Sequence, residues 1–99
     1  MISRQWRGLA KMGAGPAYIK HLRDETFPAL RQLPGFVGAS ILSRSQARGI
    51  EFLVVTRWRS MEDIASFAGS DPEAAVVPAK VADMMVEYQQ RAEHFEMIE

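Results

Sequence analysis

The sequence contains no cysteine, which excludes disulfides, thiolate nucleophiles and thiolate metal ligands. It also has no excess of either charge. Lysine plus arginine and aspartate plus glutamate stand at 12 each, so no long-range field gathers nucleic-acid phosphates or anionic lipid. Neither nucleic acid nor membrane is an expected partner. No apolar run approaches the ~18 residues of a spanning helix, and Met1 to Ala10 lacks a charged, apolar and small-residue leader. The cytoplasm is the expected compartment. Histidine is scarce too. His21 and His94 have no partners at a metal-ligand spacing, so no metal site is expected. A nucleophile-elbow sequence is missing, and Gly13-Ala14-Gly15-Pro16 ends in proline without a lysine, so it reads as a turn and not a phosphate loop.

What is present fits one domain over residues 1–99, with no room for a separate catalytic module. Ile2 to Ala10 reads as a strand broken by Gly13, Gly15 and Pro16. Pro16 suits a first helical turn, and Tyr18, Leu22, Ala29 and Leu33 recur at helical spacing over Ala17 to Leu33. Pro28 lies inside that helix and predicts a kink, because it removes a donor and crowds the preceding turn. Leu33-Pro34-Gly35-Phe36 then leads into a second strand, Val37 to Ser45. Arg48-Gly49 marks a hairpin tip before Ile50 to Trp58, the strongest strand signal in the chain.

Ser60 stands as an N-cap with Asp63 three residues on, and Ile64, Ala65, Phe67 and Ala68 form the buried side of a short helix ended by Gly69. Asp71-Pro72-Glu73 predicts another helical turn through Ala75, and Pro78 to Met84 a further helical connection. Val86 to Ile98 reads as the last strand, with a bulge near Gln90 to Glu93 because no single alternation fits it. The order is that of a ferredoxin-like α+β domain: βαββαβ, a four-stranded antiparallel sheet with helices on one face. Such a sheet should alternate apolar and polar, yet Leu53 and Val55 have the opposite parity to Phe52 and Val54. At ~25 cal/mol per Å² of apolar surface, several such side chains in water forfeit several kcal/mol. A second copy of the sheet, making a homodimer, is the expected cover. The alternative is capping by the chain termini.

The strand order, the turn Leu33-Pro34-Gly35-Phe36-Val37-Gly38 and the strand end Val55-Thr56-Arg57-Trp58-Arg59-Ser60 together resemble the antibiotic biosynthesis monooxygenase family of dimeric α/β barrels, over essentially the whole chain. The resemblance implies two sheets packed face to face and a pocket in each protomer between the sheet and its own helices. It does not fix a reaction. The superfamily's haem-degrading branch uses an asparagine on the first strand and a tryptophan and a histidine in or after the second helix. Here Gln5-Trp6-Arg7, Phe67 and Ala75-Val76-Val77-Pro78 occupy those stretches, so no haem is implied and no cofactor is expected.

Within that frame the expected substrate-binding residues are Trp58, Phe67 and Tyr88, aromatic side chains that with Trp6 would hold a flat molecule by stacking; the alternative is that they are simply core. His94 is the expected base, since imidazole titrates near neutral pH; the alternative is an exposed or dimer-contact histidine. His21 lies one position off the apolar stripe of the first helix and is expected in water, the alternative being the space between helix and sheet. Arg57 or Arg7 is placed to stabilise an enolate or phenolate. The expected function is a cofactor-independent, monooxygenase-like oxidation of a small planar phenol or quinol. The alternative is a non-catalytic dimer that binds a small apolar molecule in a pocket without polar groups, or serves as a structural partner.

Overall fold

The computed structural model describes Met1 to Glu99. Its first strand, β1 (Ile2–Lys11), leads into α1 (Gly15–His21), a π-helical turn (Leu22–Thr26) and α2 (Phe27–Leu30). The wide turn answers the problem posed by Pro28. Proline has no N–H to give, and ahead of it the helix loosens so that the Phe27 N–H reaches back to the Leu22 carbonyl. The helix therefore passes through the proline and stops at Leu30, earlier than Leu33, with Arg31 to Leu33 forming a turn.

The hairpin β2 (Phe36–Gln46) and β3 (Gly49–Trp58) follows, then α3 (Met61–Ala68), α4 (Ala79–Ala82), β4 (Met85–Tyr88) and β5 (Glu93–Glu96). The antiparallel sheet runs β2-β3-β1-β4, with β5 also paired to β1. This is the ferredoxin-like order. Ser60 caps α3 as expected, its Oγ accepting the Asp63 N–H at 3.2 Å.

Gly35 sits at φ 79°, and a Cβ there would lie 2.1 Å from an Asp63 carboxylate oxygen. Its carbonyl also accepts the Arg59 N–H at 2.9 Å, tying the turn to the end of β3. Gly35→Ala is therefore expected to cost about 1–3 kcal/mol, read as a lowered denaturant midpoint at unchanged slope. An unchanged midpoint would contradict the steric reading.

The last strand is broken where the sequence places its bulge. Between β4 and β5 the chain leaves β1 and pairs with residues 73–75. The expected turn at Asp71-Pro72-Glu73 forms, with Ala74 N–H donating to Asp71 O at 3.1 Å, but it ends in this pairing and does not run on as helix through Ala75. Ala75 N–H donates to Gln90 O at 3.0 Å and Ala92 N–H to Glu73 O at 2.7 Å, around a bridge between Ala74 and Arg91. Pairing satisfies these backbone groups without a helix. Arg91 reinforces it from the side, on Asp71 at 3.0 and 3.1 Å and on Glu73 at 3.2 Å.

Strand register divides the two faces of β3. Phe52, Val54, Thr56 and Trp58 are buried beneath the helices, with Trp58, Phe52, Leu30 and Ile64 fully enclosed. Leu53 and Val55 lie on the other face, which no helix covers. Leu42 and Ser40 of β2 and Arg7 and Gln5 of β1 lie beside them in register, with Arg44 opposite Glu51. Leu42 is 48% exposed and Phe95 53% exposed. The Arg44–Glu51 and Arg7–Glu93 ion pairs border this apolar centre.

Candidate functional site

A cavity of about 80 Å³ lies between the helix-facing side of the sheet and the helices. Trp6, Val54 and Thr56 line it from the sheet, His21, Leu22 and Thr26 from the first helix and its wide turn, and Phe67, Val76 and Pro78 from the chain beyond β3. Val76 is 46% exposed and stands at the mouth.

The expected aromatic residues divide around this space. Phe67 is in the wall. Trp58 stacks behind it, with ring centroids 6.1 Å apart at 22°, and its Nε1–H donates to Thr56 Oγ1 at 2.9 Å. It supports the wall and does not line the cavity. Tyr88 reaches the cavity only through Trp6, 6.0 Å away, whose Nε1–H is held by Gln89 O at 2.9 Å. Tyr18 is also in the wall; burial pushes its phenol far above the ordinary tyrosine range, so it is a neutral ring at physiological pH.

His21 is not in water. The wide turn begins at the next residue, and the imidazole, 7% exposed, lines the cavity. Its Nδ1 is enclosed without a hydrogen bond, and Glu25 Oε2 lies 3.4 Å away, too far or too oblique to count as a bond. Glu25 is held ionised below the usual carboxylate range, first by its bond from Lys80 and also by His21. A carboxylate on that side favours the tautomer with the proton on Nδ1, leaving Nε2 as the acceptor. His21 is the last residue of α1 and stands three residues after the buried Tyr18, a regular helical spacing that carries it to the same side.

His94 is placed differently. It pairs in register with Arg4 on β1, and its Nε2 lies 2.9 Å from Arg4 Nη1, behind the cavity wall. An arginine only donates, so His94 Nε2 accepts and the ring is neutral. Its pKa is lowered by burial first and then by the Arg4 charge, partly offset by Glu73. With the folded value below the ordinary 6.5, the contribution to stability is complete above that pH and is lost as pH falls through the folded value. Stability is expected to decline in the wild type just below pH 6.5, and His94→Gln is expected to lack that component in urea titrations across the window. Parallel pH profiles would contradict it.

Arg7 and Arg57 both lie on the open face, Arg57 donating to Ser40 Oγ at 3.1 Å. The arginine of the cavity is Arg4, only 5% exposed. Its guanidinium donates to Pro72 O and, at 2.9 Å, to Ala74 O, and sits 5.6 Å from the Phe67 ring centroid. The sequence carries a signal for it: Arg4 shares the parity of Trp6 in β1, so a charge stands on the strand's core side.

No protein-family model matches the chain, and no curated protein is similar enough to be recognised as a relative. Solved structures do match. A Bacillus cereus protein assigned as an antibiotic biosynthesis monooxygenase superposes with a TM-score of 0.67 at 17% identity, covering 99% of this chain and 91% of that one. A MhuD variant with two manganese protoporphyrin IX bound per active site gives 0.64 at 22% identity, with 99% and 95% covered. The chain has the fold of these proteins. A porphyrin does not fit its cavity: about 80 Å³ is less than the ~150 Å³ that takes up one benzene molecule. Residues 75–78 supply only alanine, valine and proline there. No helix of the chain is long and apolar enough to cross a membrane.

Proposed function

We propose that the chain is a member of the antibiotic biosynthesis monooxygenase family, a homodimer through its open sheet face that oxidises a small planar phenol or quinol with molecular oxygen and no metal or flavin. The observation that carries this reading is the aromatic cavity with His21 in its wall and Glu25 behind it. The non-catalytic alternative calls for a cavity without polar groups, whereas Arg4, His21, Thr26 and Thr56 all border this one. At about 80 Å³ the cavity is smaller than the volume that takes up one benzene. Even a single ring therefore enters only as Phe67 and the half-exposed Val76 move apart at the mouth, and a fused ring system requires a larger opening.

His21 takes the phenol proton, and the imidazolium is stabilised by the ionised Glu25. The phenolate is electron-rich enough to pass an electron to oxygen. In the full reaction a ring C–H becomes C=O and the phenol becomes the second carbonyl of a quinone. One oxygen atom enters the ring and the other leaves as water, the substrate supplying every electron. Aromatic walls exclude water while the ring is anionic.

Leu42, Leu53, Val55 and Phe95 support the dimer, an apolar centre bordered by charge pairs as an interface core is by its rim. Incubation with a panel of single-ring and fused-ring phenols and quinols under oxygen tests the function. The expected result is one oxygen consumed per phenol, with single-ring compounds preferred. Neither oxygen uptake nor binding for any member would overturn the proposal.

A further inference from the structure

Arg4 is buried at the cavity without a carboxylate: none of the chain's ion pairs includes it. Its neighbours are two backbone carbonyls and a neutral imidazole. Carbonyl dipoles and a histidine nitrogen satisfy donors but do not neutralise a charge removed from water. Glu73, the nearest acid on the segment that Arg4 holds, is engaged by Arg91 at 3.2 Å. The charge is left for something else.

A guanidinium has five N–H donors in a planar fork. Both on Nη1 are used, by Pro72 O and His94 Nε2, and one on Nη2 by Ala74 O. The Nε–H and the second Nη2–H remain. His21 Nδ1 is the one side-chain polar atom of the chain that is fully enclosed without a partner. Arg4 Nε, which has no bond, is not enclosed in that way and so borders accessible space, and Arg4 is itself in the cavity lining. Two parallel N–H groups on a fixed cation match the two oxygens of a carboxylate. The carbonyls, His94 and the Phe67 face hold the group in place, so little ordering remains for a ligand to impose.

We infer that Arg4 is an anion receptor on the sheet wall of the cavity and that the ligand is a hydroxylated aromatic acid, its carboxylate on Arg4 and its phenol toward His21 on the helix wall. The phenolic half rests on the function proposed above. The carboxylate half rests on Arg4 alone. His94 is then a positioning residue that acts through Arg4 without touching the ligand.

Calorimetric titration with para-hydroxybenzoate and its neutral isostere para-hydroxybenzamide tests this at neutral pH. The acid is expected to bind about tenfold to a hundredfold more tightly than the amide, and Arg4→Lys, which keeps the charge but loses the fork, is expected to lose most of that preference. The comparison of the two ligands on the wild type needs no variant to fold. Equal binding, tighter binding of the amide, or no binding of the acid while neutral phenols still consume oxygen would overturn the anion receptor and leave the function standing. Preferential binding of the acid with no oxygen uptake from any phenol would support the receptor and overturn the oxidation.

Discussion

Leu53→Lys is expected to convert the proposed dimer into a monomer or an insoluble chain. Leu53 lies at the centre of the uncovered sheet face, opposite Leu42 on β2 and Arg7 on β1. In a face-to-face dimer it meets the partner's sheet and loses its water. Lysine there forgoes about 1.5–3 kcal/mol of apolar burial and adds an unpaired charge whose effective burial cost is several kcal/mol. Together these weaken association by roughly a thousandfold or more. Light scattering at micromolar concentration reads the outcome, with Arg44→Ala at the exposed edge as a control expected to change little. A soluble, unchanged dimer for Leu53→Lys would move the interface elsewhere. The helix-facing parity gives a contrast: charge at Val54 attacks the core and is expected to unfold the chain instead of separating it.

The second large effect is chemical. His21→Gln keeps a polar side chain of similar reach but cannot take a proton, so turnover of a phenolic substrate is expected to fall by about 10²–10⁴-fold. Ligand binding should change far less, because the aromatic walls are intact. Glu25→Gln is expected to give a smaller loss in the same direction, since it weakens the stabilisation of the imidazolium but leaves the base in place. His94→Gln separates the two histidines. A residue behind the wall that acts on Arg4 should shift carboxylate affinity and leave the turnover of neutral phenols near wild type. Full activity in His21→Gln would remove it from the mechanism.

The fold was legible in the sequence wherever a local signal had a single physical meaning. Ser60 with Asp63, the Pro34-Gly35 turn and the β-branched run before Trp58 all form what their residues favour, and the order of elements follows. The site was harder to read. His21 flanks the apolar stripe of α1, three residues after the buried Tyr18, and a flanking position does not by itself tell water from cavity. The departure of residues 90–92 from β1 to pair with residues 73–75 brings two carbonyls to Arg4. No local pattern in Asp71 to Ala75 announces that pairing. Aromatic content did not distinguish a cavity-wall residue such as Phe67 from Trp58 stacked behind it. Apolar parity in β3 called for a covered second face, and the register assigns Leu53 and Val55 to it.

A crystal structure of the protein with a single-ring phenol that it consumes, trapped without oxygen, bears most directly on the central claim that the cavity between sheet and helices is the reaction site. The expected result is the ring between Phe67 and the helix wall, its hydroxyl within hydrogen-bonding distance of His21 Nε2. A ring bound on the open sheet face, or one whose hydroxyl contacts His94 with His21 turned away, would contradict it.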